Sequence, residues 1–221
     1  MIRKKLFICL IASIVFTPIY SQKKPEIGFF GGTSYYLGDI NSARQFYRSA
    51  PAFGGIMKLN LNPRYALKTG ITYGQLSGRD RDFNNDYQQA RNVSFSASLI
   101  EIAETGEFNF LPYKFDARKK VTSTYLFLGI AYTAFLQSSS NTGNQFTVPF
   151  GVGVKYALKK TINLGIEWGF RKTFTDGLDG VRNPGDSQYK SLINKNDWYS
   201  FAGFFITFGL FDNSGNCPVY Q

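Results

Sequence analysis

From Glu26 onward the chain alternates apolar with small or polar residues at a period of two, the repeat of an extended strand. Eight segments carry the pattern, separated by turn signals. Glu26–Leu37 sets Ile27, Phe29, Thr33, Tyr35 and Leu37 against Glu26, Gly28, Phe30, Gly32, Ser34 and Tyr36. Pro51–Leu61 and Tyr65–Gln75 repeat it around the short Asn62-Pro63-Arg64 turn, with Lys58 and Lys68 on the small-residue side. Val93–Phe110 is less regular: its apolar parity changes near Leu99-Ile100, which reads as a bulge, and Glu104 falls on the apolar side. Thr124–Leu136, Phe146–Leu158 and Thr161–Phe174 follow, the second being the cleanest. The eighth begins at Asp197, with Trp198, Ala202, Phe204, Ile206, Phe208 and Leu210 on one face and Tyr199, Phe201, Gly203, Phe205, Thr207 and Gly209 on the other.

Each segment is long enough for a tilted membrane strand, which needs roughly 9 to 11 residues. The connections alternate: Asn62–Arg64 and Lys159–Lys160 are tight and Leu111–Thr122 intermediate, whereas Gly38–Ala50, Gly78–Asn92 and Thr175–Asn196 are long and polar. Short turns on the periplasmic side and long loops outside are the outer-membrane pattern. The expected fold is therefore all-β, an eight-stranded antiparallel transmembrane barrel with both termini periplasmic. Residues 22–211 would form the barrel, closed by pairing the last strand with the first, and 212–221 a periplasmic tail.

The competing architecture is a soluble, lipocalin-like barrel with its apolar side inward. The side opposite the apolar face argues against it, being crowded with glycine and carrying both charge signs: Lys58, Lys68, Lys155 and Arg171 against Glu26, Glu101, Glu107 and Glu167. A narrow eight-stranded bore is filled by small side chains and paired charges, so these eight are expected to form a lumen network and a diffusive pore is disfavoured.

Composition adds a destination. Residues 1–21 read as a signal peptide, with Arg3, Lys4 and Lys5, an apolar run from Leu6 to Phe16, and Ser21 before Gln22. The run is short for an uncleaved anchor, and Cys9 lies inside it, which excludes lipidation there. Removing those three bases from 25 Lys and Arg against 15 acidic residues leaves +7, consistent with solvated loops; an exported chain without a basic helix points to no nucleic-acid partner.

The chain contains no histidine, so a Ser-His or Asp-His hydrolase cannot be assembled and the commonest metal ligand is missing. Asp80, Asp82 and Asp86 share a loop whose RDRDFNND sequence lacks the spaced Gly and closing Glu of a calcium loop, and a solvated surface loop fits better. The glycines of GFFGGTS and GVGVKY occupy strand positions and make no phosphate cradle. No enzymatic activity, cofactor or small-molecule substrate is expected. Without the leader, Cys217 is the sole thiol: either an intermolecular disulfide or a buried small hydrophobe.

EIGFFGGTSYYLGDIN at the mature start, LIEIAETGEFNFLPY in the middle and FFITFGLFDNSGNCPVY at the end resemble the PorG family, outer-membrane barrels of the type IX secretion system. The resemblance spans nearly the whole mature chain, and YYLGDIN, EFNFLPY and CPVY are its most specific parts. It implies a non-enzymatic component that anchors or positions a periplasmic ring built of a lipoprotein and its partner protein. Lys114, Arg118, Lys119 and Lys120 in the second periplasmic turn, with Pro218 and Tyr220 in the tail, become candidate partner contacts, and Cys217 a candidate bond to a periplasmic partner. Two alternatives stay open: a structural or adhesive barrel of the OmpA or OmpX type, and a small-molecule-binding barrel using its aromatic loop ends.

Overall fold

A computed structural model of the chain describes residues 25–38, 40–41, 44–83, 86–113, 121–138, 143–159, 161–174 and 197–210. The strands are β1 (Pro25–Leu37), β2 (Ala50–Asn60), β3 (Tyr65–Arg79), β4 (Ser94–Asn109), β5 (Thr122–Ser138), β6 (Gln145–Lys159), β7 (Ile162–Thr173) and β8 (Trp198–Gly209). Each pairs antiparallel with its sequence neighbour, and β8 returns to β1 with Phe29 opposite Ile206, closing the barrel. Both barrel ends of the chain, Pro25 and Gly209, lie at the short-turn end. A short helix, α1 (Asp86–Arg91), stands in the β3–β4 loop, and no described helix is long and apolar enough to cross a membrane.

The alternating pattern settles into walls as hydrophobic burial in lipid requires. Phe29 is 68% exposed, Phe204 67%, Ile130 66% and Phe146 64%, all pointing outward. Inward, Glu26, Lys58, Glu101, Glu107, Lys155, Tyr125 and Tyr199 are buried. An apolar exterior around a charged interior inverts a soluble barrel and matches a bilayer-spanning one. Closure leaves no strand edge in hydrocarbon, where an unpaired backbone group would cost several kcal/mol, on the order of the transfer penalty for a polar group.

Aromatic rings mark two rims on the outer wall. At the short-turn end Tyr65 packs on Phe108 at 5.3 Å and Phe108 on Phe110 at 5.6 Å; at the long-loop end Phe53 packs on Tyr73 at 5.2 Å and Tyr132 on Phe146 at 5.2 Å. Tyr65 and Tyr73 belong to one strand. At about 3.4 Å per residue and a tilt near 40°, the rims stand roughly 20 Å apart in height, close to the apolar band of such barrels.

Some expectations are corrected. β4 contains no change of face: Phe95, Ala97, Leu99, Glu101, Thr105 and Glu107 all point inward. What switches is chemistry, because the upper part of the strand clears the membrane, so its inward residues become apolar and its outward ones serine. The register shift at that level, between Ser98 and Leu99 in the β4–β5 ladder, is made by an extra residue in β5, Leu136. Glu104 does stand on the outer wall. Tyr35, placed by parity on the lipid side, is fully buried, because Phe46 from the first long loop folds down against it at 4.9 Å.

Interior glycine is required where rings cross the bore. A Cβ on Gly153 would stand 2.4 Å from the Tyr125 ring, and one on Gly165 2.2 Å from the Phe205 ring. These contacts let large aromatics fill a narrow barrel without forcing strands apart.

Candidate functional site

The lumen is filled by three polar layers held by inward positions of all eight strands. Nearest the short-turn end, Glu26 accepts hydrogen bonds from Asn60, from Asn163 at 2.9 Å and from Thr207 at 2.5 Å. Its described donors are neutral. In the next layer Glu107 is the hub, with the Lys58 and Lys155 ammonium groups each 2.9 Å from its carboxylate. Lys68 stands 3.9 Å from Glu107 and bonds to Glu167, which also accepts from the Tyr125 hydroxyl at 2.7 Å. In the upper layer Arg171 donates to Glu101 at 3.2 Å and 3.3 Å, and Tyr199 donates to the same carboxylate at 2.7 Å.

Four carboxylates and four cations thus share one buried interior. Ordering ions in low dielectric costs several kcal/mol each unless every charge finds partners, and here aromatic faces add to the pairing. Lys58 lies 4.2 Å from the Phe205 ring centre, Lys68 4.5 Å from Phe127, and the Arg171 guanidinium 4.6 Å from Phe201. An interior void of about 30 Å³, lined in part by Lys68, Glu101, Glu167 and Arg171, has room for a water or two.

Both ends of this column are capped by stretches the sequence singles out. In EFNFLPY, Glu107 is the hub, Phe108 a rim residue, and Asn109 donates to the Pro63 carbonyl at 3.1 Å. Tyr113, 3% exposed, ties its backbone N–H to the same carbonyl at 2.8 Å and lays its ring 4.8 Å from the Lys155 ammonium. In YYLGDIN, the Tyr36 hydroxyl bonds to Asp197 at the head of β8, while Asn41 donates to the Tyr36 carbonyl at 2.9 Å and to the Arg44 carbonyl at 2.7 Å. A filled bore with a lid at each end is a plugged cylinder.

Above the upper cap the first two long loops lock together. The Tyr47 hydroxyl donates to Asp82 at 2.7 Å, and Arg48 donates to the same oxygen at 3.0 Å. The Tyr47 hydroxyl and then Arg48 hold the Asp82 carboxyl below the usual aspartate range, while partial burial and then Asp82 push the Tyr47 phenol up. Asp80 is buried and accepts from the Val93 N–H at 2.9 Å. The aspartates of RDRDFNND are therefore divided between separate contacts, and among the described residues no cluster of metal-ligand type occurs.

Of the residues expected to act, the eight lumen charges all lie on the inner wall. Lys114, Arg118, Lys119, Lys120, Cys217, Pro218 and Tyr220 lie outside the described residues, as do residues 1–21. Sequence reasoning missed Tyr125 and Tyr199, which serve carboxylates across the bore, and Tyr113 as a lid. Their inward parity was the available signal. Trp168 and Trp198 sit on the outer wall, Trp168 donating to the Tyr35 hydroxyl at 2.8 Å.

The sequence profile of a domain of unknown function, DUF6089, matches residues 4–219. The chain belongs to the DUF6089 family. By sequence, no curated protein matches it. In three dimensions this DUF6089 chain is similar to several solved outer-membrane barrels. The N-terminal barrel domain of Pseudomonas aeruginosa OprF shows 12% identity over 85% of this chain and 98% of that one, with a TM-score of 0.43. OprG of the same bacterium shows 12% identity over 84% and 97%, with a TM-score of 0.45. A major outer membrane protein of Thermus thermophilus shows 15% over 86% and 100%, with a TM-score of 0.44. Independently of these likenesses, a closed eight-stranded barrel with an apolar belt between aromatic rims is the architecture of a bacterial outer-membrane protein.

Proposed function

We propose that this DUF6089 protein is a non-enzymatic outer-membrane component of the type IX protein secretion system, holding the periplasmic ring of a lipoprotein and its partner protein at the membrane. The observation that carries the proposal is the charge-filled lumen, capped at each end by Tyr113 and by the Tyr36–Asp197 contact. A plugged barrel gives partners its rims and its outer wall instead of a conduit, and so suits anchoring. Two of the three stretches through which the chain resembles the PorG family, YYLGDIN and EFNFLPY, build these lids. The turn behind Tyr113, with Lys114, Arg118, Lys119 and Lys120, and the tail with Cys217, Pro218 and Tyr220 are the proposed ring contacts. The positive charge of the turn would steer assembly more than supply affinity.

Deleting the gene in the native bacterium should abolish secretion of type IX cargo while other outer-membrane proteins assemble normally. Reversing the four basic residues to glutamate should reduce recovery of the ring lipoprotein with the barrel while leaving the barrel folded. Intact cargo secretion in the deletion strain would refute the assignment. Altered surface adhesion with normal secretion would favour the OmpA or OmpX type of barrel, a reading supported by the interlocked outer loops at Tyr47, Arg48 and Asp82.

A further inference from the structure

Glu104 is an ionisable side chain on the lipid-facing wall. Its level follows from the ladder: Tyr65 pairs with Phe108 at one aromatic rim and Tyr73 with Ile100 at the other, while Thr69 pairs with Glu104 halfway between. The carboxylate is therefore at the middle of the apolar belt, with Ile130 beside it on β5 and Ile102 above it on β4. A carboxylate facing hydrocarbon at that depth is unfavourable, and such residues in membrane proteins mark contacts with other polar groups.

Within the chain its described polar neighbour is Thr69, whose hydroxyl donates to it at 2.5 Å. One hydroxyl leaves most of the acceptor capacity of a carboxylate unused. Two glycines flank the pair on the outer wall, Gly55 and Gly106. A Cβ on Gly55 would meet nothing within 4 Å, and one on Gly106 only an ordinary contact with the Leu128 carbonyl at 3.8 Å. Nothing in the barrel itself requires glycine at either place, whereas small residues around a polar centre are how spanning segments approach one another closely in a membrane.

We propose that the outer wall around Glu104 and Thr69 is a lateral docking surface for a different membrane protein, whose spanning segment brings a lysine or arginine to the middle of the bilayer. Charge complementarity selects the occupant. A second copy of this chain docking by the same wall would set two Glu104 carboxylates face to face. An outward lysine of this chain, Lys172, stands at the upper rim with its ammonium 5.4 Å from the Trp198 ring, away from the middle of the belt where Glu104 lies. The inference rests on the barrel spanning the membrane and is independent of the secretion role.

The test places a photo-crosslinking amino acid at Ile102, and as a control at Ile166 on the β7 wall, in otherwise native protein in intact cells. An adduct with one membrane protein is expected from Ile102 and not from Ile166, with the crosslinked peptide mapping to a spanning segment that contains lysine or arginine. Glu104→Leu should lower its yield about tenfold, the scale of a polar contact between spanning segments, and Glu104→Gln should lower it less. Glu104→Lys should abolish it, and reversing the partner's basic residue to glutamate should restore it. The heat-dependent electrophoretic shift of a folded barrel checks each variant, and Glu104→Gln keeps the test open should the leucine variant misfold. Adducts with lipid alone, adducts between two copies, or a yield unaffected by Glu104→Leu would each overturn the proposal. Membrane fractionation and cargo secretion, measured on the same strains, report separately on the two readings above.

Discussion

The lower and upper halves of β4 solve opposite problems with one backbone. From Ile100 to Phe108 the outward residues are Ile100, Ile102, Glu104, Gly106 and Phe108, and the inward ones include Glu101, Thr105 and Glu107. Above Ile100 the assignment reverses: Ser94, Ser96 and Ser98 face out, while Phe95, Ala97 and Leu99 face in and are buried. β3 changes at the same level, with Leu76 buried inside and Gln75 and Arg79 outside. The solvent outside the wall decides the sorting, lipid below the upper rim and water above it. Above the rim the interior becomes an ordinary hydrophobic core in which Tyr36 meets Phe95 edge to face at 4.8 Å and Ile40, Leu76 and Leu99 are fully buried. A strand pattern that inverts part-way can thus mark the water line and need not mark a bulge.

The most damaging change to the lower half should be Glu107→Leu, which strips the hub from Lys58 and Lys155 and leaves two buried cations without their main counter-charge. Removing one partner of a buried pair costs about 3–5 kcal/mol. The urea midpoint of unfolding in detergent micelles should fall accordingly. Leu99→Glu, in the apolar upper core, would probe the converse of the same rule.

The outer wall offers a direct contrast. Ile130→Lys, in mid-belt, should lose about 2–4 kcal/mol on refolding into lipid vesicles. Ser94→Glu, beside Arg79 above the rim, should change stability by less than about 0.5 kcal/mol, as exposed substitutions usually do. Equal losses at the two sites would erase the water line between the halves.

The smallest effect belongs to the loop lock. Tyr47 and Arg48 depress the Asp82 carboxyl in the folded state, so the stabilisation is present above the ordinary aspartate range near about pH 3.9 and disappears as pH falls through the lower folded value. Cleavage of the first loop by an acid-active protease should rise as pH drops in that window, while the barrel stays intact. Tyr47→Phe should move the rise to higher pH, since the hydroxyl that depresses the carboxyl is gone.

Much of this architecture was legible because strand periodicity is a local property. Ile27 and Phe29 against Glu26 and Phe30, or Val152 and Val154 against Gly153 and Lys155, already separate two walls without knowledge of the neighbouring strands. Partnership across the bore was not legible. Glu101 meets Arg171 and Tyr199 across large gaps in sequence, and nothing local to Tyr199 announces its carboxylate partner. Tyr35 was misjudged for the same reason, since its cover comes from Phe46 in a loop with no repeating pattern.

By itself the sequence determined the number of strands, the face of the residues within the apolar belt, and the identities of the eight interior charges, because alternation and chain direction fix these one segment at a time. Only the closed barrel decided which cation meets which carboxylate, that EFNFLPY and YYLGDIN become lids, and that Glu104 lies midway between the rims. Those outcomes depend on the stagger of all eight ladders together, and stagger is set by long-range pairing and by the rings that must fit the bore.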